Sequence, residues 1–297
     1  MLDLHRLQLL HHFAQQGSIA ATAAALGYSA SAVSQQLATL EREAGGALLD
    51  RTARSAELTV LGQRLAAHAA VVLEAVEAAE VDLAAHTGSP AGPVRIAAVP
   101  SIAVALAPAL AALMSREREL QVVVRQAAPA EALSRLRSRD VDIAVVDDHA
   151  ATPPTTHDRL DAEVLQHDPL VLVLPRDHPA AGGPDPTELR SLAAGPWICA
   201  PIGEPSRTAF DRVLADAEVT PKARWEFEGL ATIAALVAEG VGIAVLPRLA
   251  VTAALRDRVV VRELPVPAAR AVVALTRTSS RGRPAIEVAL AALRDGA

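Results

Sequence analysis

The sequence predicts an α/β protein with an all-helical N-terminal part, and three observations carry that reading. Residues 17–46 read as two short helices around a glycine turn. A proline-free stretch from Val60 to His86 holds a long heptad seam, and beyond Pro93 strands and helices alternate to the end of the chain. A length of 297 residues suggests about two domains, each large enough for a real core.

The elements follow in order. Leu4 to Gln16 is a helix with Leu4, Leu7, Leu10 and Phe13 on one face, stopped by Gly17. Ser18 caps a second helix whose narrow apolar face is Ile19, Ala20, Ala23, Ala24 and Leu26, and Gly27 ends it. Ser29 or Ser31 caps a third, in which Val33, Leu37, Leu40 and Ala44 recur at helical spacing. Its other side shows Ala30, Ala32, Ser34, Gln35 and Gln36. Short side chains permit close approach to a surface, and glutamine can pair with an adenine edge. Helix, glycine turn and polar-faced helix form the helix-turn-helix pattern for the DNA major groove, although two helices joined by Gly-Tyr also describe an ordinary helical hairpin. Residues 48–59 are apolar at both ends and polar between, which suits a two-stranded wing. Thr59 caps the next helix. There Leu65, Ala69, Val72, Val76, Ala79 and Leu83 form the heptad seam, with Glu74, Glu77 and Glu80 off it. Such a seam packs on the body of the protein or, preferably, on the same helix of another subunit.

Residues 87–93 hold two glycines and two prolines, which cannot continue a helix or join a central strand, so this is a hinge. Beyond it, strands are expected at 94–99, 120–125, 141–146, 164–175, 196–200, 223–227, 243–246, 259–264 and 271–276. Helices are expected near 102–114, 130–139, 208–217, 230–239 and 284–294. This alternation predicts a parallel sheet covered by helices.

Composition narrows the function. The net charge is −6 and aromatics make up 2 %, so alanine, valine and leucine build the core and indiscriminate nucleic-acid binding is disfavoured. Within the first sixty residues Arg6, Arg42, Arg51 and Arg54 stand against Asp3, Glu41, Glu43, Asp50 and Glu57, a slightly negative balance. The N-terminus lacks the features of a signal peptide, and no apolar run reaches membrane-spanning length, so a cytoplasmic protein without membrane contact is expected. Cys199 is the only cysteine, and its apolar flanks favour a core position over a reactive thiol. No metalloprotease, zinc-cysteine, Walker or nucleophile-elbow motif occurs; the histidines are scattered; neither metal nor cofactor is expected. Gly240 and Gly242 follow a helix and precede a strand, the reverse of a dinucleotide fingerprint. Ser101, between a strand end and a helix start, can present its hydroxyl to an anion. The loop from Gly203 to Arg207 has the same form, and Arg207 is expected to clamp a carboxylate.

This order of parts resembles the LysR-type transcriptional regulators along essentially the whole chain. The similarity is carried by Leu10 and Phe13; by Gly17, Ser18, Ala23, Ala24 and Leu26; and by Ser29, Ala32, Val33, Ser34, Leu37, Leu40 and Glu41. Leu48, Arg51, Leu58, Thr59 and Gly62, then the runs 169–179 and 237–247, extend it. The resemblance implies a winged helix-turn-helix DNA-binding domain over 1–60, a dimerising linker helix over 61–87, a hinge over 88–93 and an effector domain over 94–297. That domain is like a two-lobed periplasmic binding protein, with lobe one at 94–160 and 269–297 and lobe two at 161–268. It also implies a double-stranded DNA operator, a homodimer or homotetramer, RNA polymerase as a further partner, and a small carboxylate or amphipathic metabolite between the lobes. The expected DNA contacts are Ser29, Ser31, Ser34, Gln35, Gln36, Arg51 and Arg54. The expected effector contacts are Ser101, Ile102, Cys199, Gly203, Ser206, Arg207, Gly229 and Thr232. Relatives often carry glutamine-proline where this chain has Ala30-Ser31, which shifts base reading to Ser34, Gln35 and Gln36, and a hydroxyl where it has Val99. The alternative is a cytoplasmic small-molecule-binding or enzymatic α/β protein whose helical arm only dimerises.

Overall fold

A computed structural model describes residues 1–51, 56–149, 159–183, 188–221 and 223–296. Helices α1 (Leu4–Gln16), α2 (Ile19–Leu26) and α3 (Ala30–Ala44) open the chain, the second and third capped by serines the sequence suggests. Asp3, Ser18 and Ser29 accept backbone N–H groups at the three starts, and Gly17, Gly27 and Gly45 take left-handed conformations at the three exits. Leu7, Leu10 and Phe13 meet Val33, Leu37 and Leu40 in one small core. Strands β1 (Leu49–Arg51) and β2 (Ala56–Leu58) pair antiparallel as the wing. The 28-residue helix α4 (Val60–Thr87) starts against that wing so closely that a Cβ on Gly62 would stand 2.1 Å from the Leu48 carbonyl oxygen.

The remaining described chain forms two lobes. Lobe one contains β3 (Gly92–Ala98), α5 (Pro100–Arg116), β4 (Leu120–Gln126), α6 (Pro129–Arg137) and β5 (Ile143–Asp148). The 16-residue strand β6 (Leu160–Pro175) then runs into lobe two. That lobe holds β7 (Pro196–Cys199), α7 (Pro205–Asp216), β8 (Ala223–Glu226), α8 (Leu230–Ala238), β9 (Ala244–Pro247) and β10 (Val259–Glu263). Strand β11 (Ala269–Arg277) returns to lobe one, and α9 (Pro284–Asp295) packs on it. The first part of β6 pairs with β11 and its last part with β9 and β10, so one strand belongs to both lobes. The lobe-two core surrounds Trp197, which is fully buried and donates its indole N–H to the Leu192 carbonyl; Trp225 on the neighbouring β8 is 47 % exposed.

Two expectations need correction. The sheet is mixed rather than parallel: β3 pairs parallel with β4 and β5, but β6, β9, β10 and β11 pair antiparallel, because the chain leaves and re-enters lobe one along adjacent strands. The hinge is also shorter at its far end, since Gly92 and Pro93 begin β3. There β3 pairs only with β4, and β5 joins at Ile96, so the proline ring faces an open edge.

Helix α4 is fastened to lobe one by a buried ionic knot. Glu77 accepts from Arg277 Nε and Nη2 at 3.0 and 2.7 Å, and also from Arg139 and Ser279. Burial works against the Glu77 carboxylate, but these donors hold it below the usual range. Arg277 also donates to the carbonyls of Leu136 and Val141 at 2.8 and 2.6 Å. The buried stripe of α4 is therefore Ala66, Ala69, Leu73 and Val81, and half of the heptad seam faces away from the chain: Val72 is 42 % and Leu83 72 % exposed, and Ala79 is exposed as well.

Helix α1 meets the same lobe through two buried histidines. His11 Nε2 lies 3.1 Å from the Arg137 carbonyl, and His12 Nδ1 lies 3.8 Å from Asp140. Burial, with His11 and Arg139 adding repulsion, pushes His12 down to about 4. The unfolded chain takes up this proton near pH 6.5, whereas the folded joint stays neutral to about pH 4. Stability is thus complete above pH 6.5 and declines as pH falls through that window, by up to about 3 kcal/mol from this group. Urea unfolding of the full chain at pH 7.5 and 5 is expected to show this loss, and His12→Leu is expected to reduce it.

Candidate DNA interface and interlobe cleft

The buried side of α3 leaves a polar side free. Ser31 and Gln35 are exposed on it, and Arg42 lies further along the same side, donating to Thr39 at 2.8 Å. Ser29 caps the helix with a 3.2 Å bond from Ala32 N, and its hydroxyl is 3.0 Å from that of Ser31. Arg51 reaches across from β1 to donate to Ser34 at 2.8 Å and lies 3.5 Å from Glu41. Gln36 is turned differently: it is half-buried and accepts from Arg6 Nε at 2.9 Å, which holds it toward α1. Arg54 lies outside the described residues. Arg42 was not among the expected contacts; its place eleven residues after Ser31, about three helical turns, was the available signal.

Between the lobes lies a cleft of about 380 Å³. Its walls are the loops that follow β3, β4, β7 and β8, the carboxyl ends of the parallel strands, where ligands of open α/β sheets bind. Four helices start there. The residues preceding them, Val99, Ala128, Glu204 and Gly229, all line the cleft, and none caps its own helix with a side chain. Three of the helices open with proline, which brings no N–H, and the N–H groups of Ile102 and Arg207 bond back to the carbonyls of Val99 and Glu204, so few first-turn donors remain at these starts. Ser101, Ser206 and Gly229 of the expected contacts line this cleft. Gly203 and Thr232 are exposed in the adjoining loop and helix turn. Ile102 is fully buried in the lobe-one core, since the first turn of α5 faces it inward. Cys199 is buried in lobe two with its thiol 3.7 Å from the Trp225 carbonyl, and burial pushes that thiol up. Arg207 is not a free clamp: it is 6 % exposed and bonded to Asp211, Glu226 and the Ala200 carbonyl at 2.8, 2.7 and 3.1 Å.

Sequence reasoning missed the groups beneath the cleft. Arg270, fully buried where β11 re-enters lobe one, donates to Asp168 at 3.0 Å, Asp147 at 2.8 Å and Ser101 Oγ at 2.9 Å. Asp147 also bonds His149 at 3.1 Å, and Asp168 accepts from Leu249 N at 3.1 Å. Burial raises Asp168 despite Arg270; burial opposes Asp147 too, but His149 and Arg270 hold it low. Since Asp147 and Ser101 line the cleft, Arg270 links the ligand wall to the crossover between lobes.

A helix-turn-helix unit, a long linking helix and a two-lobed cleft define a DNA-binding regulator with a sensor domain, and comparison with known proteins places it. The family model described as bacterial regulatory helix-turn-helix protein, lysR family, matches residues 4–63, and the LysR substrate binding domain matches residues 87–297. The chain belongs to the LysR-type transcriptional regulators. It is 29 % identical to a probable regulator, LrrA, of Synechococcus elongatus over 100 % of this chain and 98 % of that one. It is 30 % identical to a probable hydrogen peroxide-inducible genes activator of Mycobacterium avium over 91 % of this chain and 86 % of that one. Full-length OxyR of Pseudomonas aeruginosa has the same fold, with a TM-score of 0.72 at 22 % identity over 100 % of this chain and 94 % of that one.

Arg270→Met is expected to cost about 3–5 kcal/mol, because it leaves Asp147 and Asp168 buried without their cation. Denaturant unfolding of the full chain checks this, and a loss below about 1 kcal/mol would show the knot to be dispensable.

Proposed function

We propose that the chain acts in the cytoplasm as a homodimer or homotetramer that reads a two-fold operator and answers to a small molecule held between its lobes. The single observation that supports this most is the free polar side of α3, where Ser31, Gln35 and Arg42 face outward opposite a fully buried apolar side. In this reading Ser31, Ser34 and Gln35 approach base edges, and Arg42 and Arg51 meet phosphates. Arg51 is held by Ser34 in the free protein, so docking exchanges that bond for one to DNA. Arg54 remains a proposed phosphate contact. The exposed seam of α4 supplies the self-complementary surface that a two-fold site requires. RNA polymerase is the proposed downstream partner. Among the described residues no helix is long and apolar enough to cross a membrane.

Ligand binding is the proposed signal rather than thiol oxidation. Relatives named as peroxide-inducible activators are among the similar proteins. The sole cysteine of this chain, however, is buried and its thiol is pushed up, the opposite of a reactive thiolate.

Footprinting of the DNA upstream of the gene that encodes this chain tests the reading as a whole, and protection of a palindromic site is expected. Gln35→Ala is expected to weaken specific binding by about 1–3 kcal/mol, a lost bidentate base contact, in gel-shift titration. Arg51→Ala is expected to weaken binding on all sequences alike and to flatten the salt dependence. A purely sequence-specific loss would remove Arg51 from the phosphate role.

A further inference from the structure

Helix α4 reaches β3 through residues 88–91. A short stretch with glycine and proline between a helix and a strand reads as a pivot, but both of its ends are tied. Gly88 N donates to the carbonyls of Ala84 and Ala85, each at 3.2 Å, and Gly92 N donates to the Glu119 carbonyl at 3.0 Å. Between these fixed points stand Ser89, Pro90 and Ala91, and the proline ring removes one of the remaining backbone rotations.

Upstream of that connection, lobe one grips α4 at three positions. Arg159 Nη1 donates to Glu74 at 2.8 Å. Glu77 accepts from Arg139, Arg277 and Ser279. Val81 is buried, with its Cγ1 3.8 Å from where a Cβ on Gly282 would stand. Arg277 cannot follow α4 if the helix shifts, because two backbone carbonyls hold the same guanidinium. Without Glu77 this buried charge keeps only Asp142, at 3.4 Å, as its carboxylate partner.

The backbone carries a second, independent sign. Among the described residues, three that are not glycine take a left-handed conformation: Arg139, Arg159 and Glu218. That conformation is strained for a residue with a Cβ and persists where its surroundings enforce it. Two of the three are the arginines that reach α4 from lobe one. The winged unit is seated on the same lobe separately, through His11 against Arg137 and His12 against Asp140.

From these contacts we infer that Glu77 is a positioning residue for the DNA-binding unit. It fixes α4 on lobe one, so that the winged unit, α4 and lobe one move as one rigid body, and residues 88–91 do not act as a pivot. A displacement of lobe one then reaches the helix-turn-helix in full and is not absorbed in the connection. This coupling is independent of which molecule occupies the cleft and of which DNA is bound.

Distances between paired spin labels in the full-length protein test the inference. Cys199 is first replaced by alanine (Cys199→Ala), so that labels sit only on introduced cysteines. Gln15→Cys places one label on α1 and Arg118→Cys the other on lobe one; both positions are exposed. Excess unlabelled chain ensures that only distances within one chain are read. A control pair, Arg118→Cys with Ala130→Cys, lies wholly in lobe one. The α1-to-lobe-one pair is expected to give one narrow distribution, and Glu77→Ala is expected to widen it at least about twofold while the control pair stays narrow. Arg139→Gly suits the left-handed turn and leaves Arg277 and Ser279 in place, so it is expected to keep the fold and widen the distribution to a smaller extent. A wild-type distribution as wide as that of Glu77→Ala overturns the inference, as does one left equally narrow by both variants. Widening of the control pair in Glu77→Ala would mean a lost fold, and Arg139→Gly then decides alone: a widened distribution upholds the inference and an unchanged one overturns it.

Discussion

The arrangement of the effector domain rests on one buried cation. Arg270 sits where β11 re-enters lobe one, and its three bonds reach β6, the end of β5 and the serine at the start of α5. A guanidinium suits this place because its planar fork can serve three acceptors in fixed directions, which a lysine ammonium cannot do. Full burial of the group makes each acceptor obligatory, since a desolvated charge without partners is costly. The crossover, the floor of the cleft and the first turn of α5 are consequently held in one geometry. A ligand that moves Ser101 also acts on the segment joining the lobes.

A second knot carries the next stage of coupling. Glu77 projects from the middle of α4 into Arg277, Arg139 and Ser279, and Arg277 belongs to the same strand, β11, as Arg270. Strand β11 thus bonds two cleft-lining residues, Ser101 and Asp147, near its beginning and the linker helix at its end. The joint at His11 and His12 adds a direct seat for the DNA-binding unit on lobe one. These contacts define a continuous physical route from cleft to helix-turn-helix, built from packed polar groups rather than from a flexible tether.

Local features were legible in the sequence and distant pairings were not. Helix α1 ends at Gly17 because that signal lies at the boundary itself, and the expected and observed ranges coincide. The core faces of α1 and α3 followed from spacing alone, as Leu7, Leu10, Phe13, Val33, Leu37 and Leu40 show. The mixed sheet was hidden because β6 and β11 are neighbours only after some ninety residues have intervened, and strand-helix alternation carries no record of direction. Ser101 and Ser206 were readable as cleft residues from their place after a strand. Arg207 misled because its partner Glu226 lies on strand β8, 19 residues further along, and Arg270 escaped notice because its acceptors are 102, 123 and 169 residues away.

The scarcity of aromatic residues has an optical consequence. The chain has only two tryptophans, and both lie on the paired strands β7 and β8 of lobe two. Trp197 is sealed in the core; Trp225 is half-open to solvent, three residues before Glu228 at the cleft. Tryptophan emission from the native protein therefore originates wholly in lobe two, while the helix-turn-helix and α4 are dark. The molecule contains its own fluorophore pair, one shielded reference and one beside the ligand wall, and needs no added dye for events in the cleft to be followed while DNA is bound.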